Sequence, residues 1–323
     1  MQKEKWNTEQ FISCDWGTST FRLRWVQMPD VNILAKVKTS EGISQAYRQW
    51  QERGSNVEDR LPFYQRYLLD GIRQMKQQTS NSLENLTVVI SGMASSSIGM
   101  MELPYSTLPF SCSGEGLNIK KIPPSCTFPH PMLIISGARA EDDVMRGEET
   151  KIVGAYVRRT AAEDEWMIMP GTHPKHIHIS RDRVINFKTY MTGELFHLLS
   201  AKSILSASVQ ATDAPPSAHF IKGVKEASQA NLLHKLFKVR TAALFSHYTP
   251  AESYHYLSGL LIGSELLDLQ TQHIKRVSLI ASGQLAAYYQ AALENLDIQI
   301  TNCIDADEAL LRGQQQIFAL QGG

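Results

Sequence analysis

At 323 residues the chain is long enough for two domains of ~150 residues each, and its 43% hydrophobic content supports a sizeable core. Its 32 Lys and Arg balance 32 Asp and Glu, so the formal charge is zero. A protein that grips nucleic acid through its phosphates carries a basic excess, and neither the total nor any local Lys/Arg run supplies one.

The N-terminal stretch from Met1 to Gln10 is polar and lacks the apolar core of a signal peptide. An apolar run, Phe11 to Cys14, then leads into Asp15-Trp16-Gly17-Thr18-Ser19, and Phe21 to Val26 alternates after it. That pattern predicts a strand, a tight glycine turn and a second strand, with a third over Val31–Thr39. Gln45 to Arg60 reads as a polar stretch, and Leu61, Tyr64, Leu68, Ile72 and Met75 recur at helical intervals. Leu86–Ile90 predicts a buried strand that delivers Ser91-Gly92-Met93 to a site at its carboxyl end. The stretch from Ala94 to Pro131 is irregular, and Met132–Ile135 is a further strand. A helix is expected from Asp142 to Arg159, with acids near its start and Arg158-Arg159 at its end.

The second half repeats this opening. Trp166–Met169, His176–Ser180 and Val184–Tyr190 predict three strands, with turns at Gly171-Thr172 and Arg181-Asp182. A helix starts near Gly193, and Pro215 to Leu244 reads as helical. Thr249-Pro250-Ala251-Glu252 is a capping box opening a helix to about Leu269. Val277–Ala281, a helix through Leu296, the strand Ile298–Thr301 and a closing helix capped by Asp305 with Glu308 complete the chain. Each half is thus a three-strand meander followed by alternating helices and strands. This predicts lobes at 1–141 and 142–323. No apolar run nears the ~20 residues that span a bilayer. Four scattered cysteines without a C-x-x-C read as reduced thiols, so the expectation is a cytoplasmic protein with no membrane or nucleic-acid partner. Nothing sets the oligomeric state, and a homodimer stays open.

Two glycine hairpins, one per half, are the arrangement of ATP phosphotransferases of the actin/hexokinase type. Glycine lets the backbone approach phosphates, and turn N–H groups make an anion nest. Gly17, Thr18, Ser19 and Thr20 are the first such set, with Asp15 as the oxygen ligand of Mg²⁺. Gly171, Thr172, His173 and Lys175 are the second; Met169 replaces the carboxylate there. Lys175 reads equally as a phosphate partner or a solvated turn lysine. His173, His176 and His178 invite a zinc reading, but no cysteine lies close, and an exposed strand face accounts for His176 and His178 better. In the charged run Asp143 to Thr150, Glu148 suits a base for an attacking hydroxyl and Arg146 suits a carboxylate clamp, although a solvated helix start also fits. Ser282-Gly283 opens a helix after a strand, a nucleotide contact of low specificity.

These residues resemble the 2-dehydro-3-deoxygalactonokinase family, sugar-acid kinases of the actin/hexokinase/Hsp70 superfamily. The resemblance covers nearly the whole chain. It is carried by Asp15 to Ser19 with Leu23-Arg24, Ser91-Gly92-Met93, Val144 to Thr150, Met169 to His173, Met191 to Leu195, and Ser258 to Gly263. It implies a two-lobed actin-like ATPase fold (a duplicated ribonuclease H-like α/β plan with mixed sheets) and a cleft between its lobes. It also implies ATP- and Mg²⁺-dependent phosphorylation of 2-dehydro-3-deoxy-D-galactonate to the 6-phosphate in galactonate breakdown. In related kinases a Gly-Asp at a helix start carries the base, which maps that role onto Glu148. The loop after Ile90 corresponds to a sugar-contacting loop, making Ser91, Met93 and Ser95 candidates. Thr20, Pro174 and His176 depart from the residues usual in the family. A kinase for another sugar, a non-catalytic nucleotide or sugar sensor, and a zinc hydrolase are the alternatives.

Overall fold

The computed structural model describes residues 9–54, 56–79, 83–157, 164–229 and 231–322. In chain order, β1 (Gln10–Trp16), β2 (Phe21–Gln27) and β3 (Asn32–Thr39) precede helices α1 (Ile43–Glu52) and α2 (Arg60–Gln78). Strands β4 (Val88–Gly92), β5 (Ser106–Thr107), β6 (Phe110–Ser111), β7 (Ile119–Ile122), β8 (Met132–Ile135), β9 (Ala138–Arg139) and β10 (Val144–Met145) lead to α3 (Glu148–Tyr156). A second meander, β11 (Asp164–Met169), β12 (Lys175–Ser180) and β13 (Arg183–Thr189), precedes α4 (Thr192–Lys202), α5 (Ala218–Ala227), α6 (Leu232–Leu244) and α7 (Pro250–Thr271). Then β14 (Arg276–Ile280), α8 (Gly283–Asn295), β15 (Gln299–Ile304) and α9 (Ala306–Leu320) close the chain.

Contacts group the chain into two units. The first takes Met1–Ala161, Asp182–Ile185 and Asp307–Gly323, and the second Ala162–Arg181 and Asn186–Ala306. The expected lobes divide at 141/142; the contacts place α3 with the first unit and bring α9 back to it.

The first unit is built on a mixed sheet of order β3-β2-β1-β4-β8-β7. β1 to β3 pair antiparallel, while β1–β4 and β4–β8 pair parallel. β4 is buried along its whole length, as a strand covered on both faces must be. On one face, Trp16 and Trp25 of the sheet join Phe63, Tyr64 and Leu68 of α2 in a single core that also takes in α1. On the other, Phe11 meets Phe318 of α9 with ring centroids 6.0 Å apart. Gln314 fixes this helix to the sheet. Its fully buried Nε2 donates to Cys14 O, Val89 O and Ser91 Oγ at 3.1, 3.2 and 3.0 Å.

In the second unit the sheet order is β15-β14-β11-β12-β13, with β11, β14 and β15 parallel. Helices α5 and α7 cross closely there. A Cβ on Gly259 would lie 2.1 Å from Phe220 O, so the Ser258–Gly263 segment serves helix packing before anything else. The Thr249 capping box forms as read, its hydroxyl accepting from Glu252 N–H while Glu252 accepts from Thr249 N–H.

Three sequence expectations change. Helix α1 occupies much of the supposed polar stretch, because Ile43, Ala46 and Trp50 bury one of its faces. The helix expected from Asp142 starts at Glu148: Val144–Met145 is a strand, and Gly147, at φ 104°, breaks the helical path before it. Its expected end, Arg158-Arg159, lies outside the described residues. The face carrying His176 is not exposed. His176 is fully buried and bonds Glu265 Oε1 of α7 at 3.0 Å, and His178 stacks on Trp166 with centroids 4.6 Å apart.

Candidate functional site

Strand β1 delivers Asp15 to its carboxyl end, where it stands opposite Ser91 of the parallel neighbour β4. The turn beyond is tied down on both sides. Gly17 N–H donates to Thr20 O at 2.9 Å, and the Gly17 and Thr18 carbonyls accept from Ile43 and Ser44 N–H at the start of α1. Thr18 and Ser19 are left exposed, with Gly17 and Thr20 half-buried beside them. Asp15 Oδ2 accepts from Arg22 Nη1 at 2.8 Å, with 17% of its side chain exposed. One carboxylate is the donor set here. It fits a hydrated Mg²⁺ shared with phosphate oxygens rather than an all-protein cage. Among the described residues no three His, Cys, Asp or Glu side chains gather as a metal centre.

Strand β4 ends in Gly92 at φ 91°, ψ −148°, and the chain turns into a 3-10 turn, Met93–Ser95. Against this bend packs the entry to α3: a Cβ on Gly147 would lie 3.3 Å from Gly92 Cα. Arg146 donates from Nη1 to Ser95 O and Ser95 Oγ at 2.6 and 2.7 Å, and its guanidinium lies 4.3 Å from the Tyr105 ring centre. The two glutamates opening α3 fold back on the turn. Glu148 Oε2 accepts from Arg146 N–H at 3.0 Å and Glu149 Oε2 from Gly147 N–H at 2.7 Å. Glu148 is half-buried; Glu149 is wholly buried and also accepts from Thr150 Oγ1 at 3.1 Å. Burial, and then the charge of Glu148, push the Glu149 carboxyl up from 4.5 to about 7.

The first-unit candidates therefore converge on one end of one sheet. Asp15, the glycine turn, Met93, Arg146 and Glu148 meet there, with Met93 half-buried. Ser91 and Ser95 are closed off: the Ser91 hydroxyl accepts from Gln314, and the Ser95 hydroxyl from Arg146. Glu149 was not singled out from the sequence, since burial alone separates it from Glu148.

In the second unit, β11 and β12 pair up to Met169 and Lys175, leaving Pro170 to Pro174 as the turn. A Cβ on Gly171 would meet nothing within 4 Å, so that side of the turn faces open space, while its carbonyl is covered by Gly193, whose Cβ would lie 2.4 Å from it. Thr172 O accepts from Glu194 N–H at 3.0 Å, and His173 Nε2 pairs with Glu194 Oε2 at 2.5 Å. Lys175 is not a solvated turn lysine. It is 3% exposed and donates to His173 O at 2.8 Å, bracing the turn from within.

Beside Gly171 lies a cavity that opens to solvent. Thr192, Gly193 and Phe196 of α4, Tyr254 and Ser258 of α7, and Gln284 and Tyr288 of α8 are among its walls. Gly283, at φ 60° and exposed, begins α8 at the edge of this wall. Burial pushes the Tyr288 phenol up to about 12, so it stands as a neutral donor. A mostly apolar slot with polar groups at its edge, next to an open glycine turn, suits a flat heterocycle joined to phosphates. From sequence, this slot has two fingerprints, Met191–Leu195 and Ser258–Gly263, neither of which states a role.

The family model for 2-keto-3-deoxy-galactonokinase matches residues 15–317. A probable 2-dehydro-3-deoxygalactonokinase of Rhizobium meliloti (strain 1021) is 32% identical over 313 residues, covering 94% of both chains. The 2-dehydro-3-deoxygalactonokinase of Escherichia coli (strain K12) is 29% identical, covering 96% of this chain and 98% of its own. A crystal structure of a candidate 2-dehydro-3-deoxygalactonokinase from Sinorhizobium meliloti superposes with a TM-score of 0.80 at 31% identity, over 96% of each chain. The mixed sheets and flanking helices are the actin-like ATPase plan expected from the sequence.

Proposed function

The chain belongs to the 2-keto-3-deoxy-galactonokinase family of carbohydrate kinases, and from that premise we propose that it phosphorylates 2-dehydro-3-deoxy-D-galactonate on its terminal hydroxyl with ATP, giving the 6-phosphate. The observation that carries this reading is the convergence of Asp15, the Gly92 bend and Arg146-Gly147-Glu148 at the carboxyl ends of β1 and β4. Ligands of α/β sheets bind outside those ends.

Phosphoryl transfer asks for held phosphates, neutralised charge and an oriented nucleophile. The exposed Thr18-Ser19 turn and the Gly171-Thr172 turn offer backbone to phosphate oxygens. Asp15 would hold Mg²⁺ through water, and the ion would neutralise charge on the transferring group. Glu148 takes the proton of the attacking hydroxyl. Its carboxylate is half-buried and is anchored through one oxygen to Arg146 N–H. Arg146 serves the sugar-acid carboxylate from a guanidinium already fixed by Ser95 and Tyr105. The slot beside Gly171 takes the adenine.

A coupled assay of ADP release against a panel of sugars and sugar acids tests the reading. It expects the highest kcat/KM on 2-dehydro-3-deoxygalactonate and a strict need for Mg²⁺. Faster turnover on a neutral or amino sugar would replace the substrate, and nucleotide binding without turnover on any member would remove the enzyme.

A further inference from the structure

Beside Glu148 stands a second carboxyl group that the reaction as described does not use. Glu149 is fully buried, and both its oxygens are engaged: Oε2 accepts from Gly147 N–H at 2.7 Å and Oε1 from Thr150 Oγ1 at 3.1 Å. The residue it grips is the one whose conformation decides where α3 begins. Gly147 is at φ 104°, ψ −30°, against the Gly92 bend. In that left-handed conformation the Gly147 N–H is turned inward, off the helical path, and a buried N–H without an acceptor is destabilising. The helix behind cannot yield. A Cβ on Gly154 would lie 1.8 Å from Ala309 O, and one on Gly313 1.8 Å from Thr150 O, so α3 and α9 pack backbone to backbone. Glu149 therefore hangs from a fixed helix and holds a turn. On the other side of that turn, Arg146 N–H anchors Glu148.

We propose that Glu149 is a positioning residue: its buried carboxyl clamps the Arg146-Gly147 turn and so aims Glu148 at the acceptor hydroxyl, without touching substrate itself. The inference rests on the reading of Glu148 as the base. It adds that the second glutamate of the pair acts through the first. The charged group facing Glu149 is Glu148, and its other polar partners are the Gly147 and Glu149 N–H groups and the Thr150 hydroxyl. From the neighbouring elements, β4 presents Gly92 to this turn, and α9 presents Ala309 and Gly313 to α3. Ionisation of Glu149, with its carboxyl carried up to about 7, strengthens the Gly147 bond within the working pH range of an enzyme.

The test is steady-state kinetics of the full chain, on whichever acceptor the wild type turns over, for Glu149→Ala and Glu149→Gln beside Glu148→Gln. Loss of the clamp in Glu149→Ala lowers kcat about 10- to 100-fold, the cost of misplacing a reacting group, with KM for ATP and acceptor changed less than about threefold. Glutamine keeps an acceptor for Gly147 N–H, so Glu149→Gln restores kcat to within about fivefold of wild type. It also loses the rise in kcat through pH 7 that ionisation of Glu149 gives the wild type. If Glu149→Gln is as inactive as Glu148→Gln, Glu149 is itself the base and the proposal is wrong. It is equally wrong if Glu149→Ala keeps kcat within twofold. Should the alanine variant not fold, glutamine alone decides, by the same criterion. Wild-type turnover on the sugar acid reports separately on the proposed function, since the Glu149 result is read as a ratio.

Discussion

Gly92 and Gly147 meet with no side chain between them: a Cβ on Gly147 would sit 3.3 Å from Gly92 Cα, and both residues hold positive φ, 91° and 104°. The end of β4 and the start of α3 are thereby brought as close as backbones allow, which is what places Glu148 beside the sheet end carrying Asp15. Gly147→Ala is expected to cost about 1–2 kcal/mol for the left-handed backbone and to lower kcat as the turn shifts. Gly92→Ala is expected to cost more. Its ψ of −148° places it in a region open essentially to glycine, and its Cβ would lie 2.7 Å from Trp16 O. Urea denaturation with parallel kinetics checks both, and two silent variants would dissolve the link.

Stability should depend on pH through Glu149. Its folded carboxyl is raised from 4.5 to about 7, chiefly by burial. Between those values the folded chain keeps a proton that the unfolded chain releases, so stability falls as pH rises through that window. The loss is complete above pH 7 and amounts to at most about 3 kcal/mol. Glu149→Gln removes the dependence, so its advantage over wild type grows from pH 4.5 to pH 7 and then levels off. Denaturation midpoints across that range measure it; parallel curves for the two proteins would show that Glu149 ionises as freely folded as unfolded.

Gln314 ties α9 to two strands through a single nitrogen. Its Oε1 is buried without a hydrogen-bond partner among the described residues. Gln314→Leu leaves the Cys14 and Val89 carbonyls and the Ser91 hydroxyl without this donor, for a loss of about 2–3 kcal/mol. Glutamate there does more harm, because it buries a charge against those same carbonyls. Chemical denaturation ranks the three; a leucine variant as stable as wild type would make the tie dispensable.

Leu285 lies at the rim of the cavity beside Gly171 and is 40% exposed. Leu285→Trp therefore leaves the core intact while narrowing the slot. The expected result is a rise of about tenfold in KM for ATP, equal to the ~1.4 kcal/mol of one lost apolar contact, with the sugar-acid KM unchanged. A rise in the sugar-acid KM instead would assign the slot to the other substrate.

Asp15→Asn keeps the shape of the β1 end and removes the charge that Arg22 engages and that the proposed Mg²⁺ would use. We expect kcat to fall about 100-fold and the Mg²⁺ concentration for half-maximal rate to rise. An unchanged Mg²⁺ requirement would place the metal elsewhere.

Both meanders were legible because strict alternation beside a short turn has few other solutions. The capping box at Thr249 was legible because its signals are all local. Helix α1 was missed because Ile43, Ala46 and Trp50 are spaced among Gln, Arg and Ser, and a polar reading that starts at Gln45 omits the first of them. Asp15 and Glu148 were singled out separately and assigned to different lobes; that they share one sheet end was not legible, because it depends on the start of α3 packing against the Gly92 bend. The cavity had no local signal: four segments from Gly171 to Tyr289 make it, and sequence does not say which helices cross. Burial separates Glu148 from Glu149 and turns His176 from a surface residue into a partner of Glu265. Neither fact is visible until α9 and α7 are in place.

The tie between Cys14 and Gln314 joins residues 300 positions apart. On a ribosome that makes the chain from its beginning, the first sheet emerges long before the helix that completes one of its faces. Phe11 must wait for Phe318 through the synthesis of the entire second unit. During that interval the nascent chain exposes an unfinished apolar face, and the cost of closing so long a loop slows its completion after release.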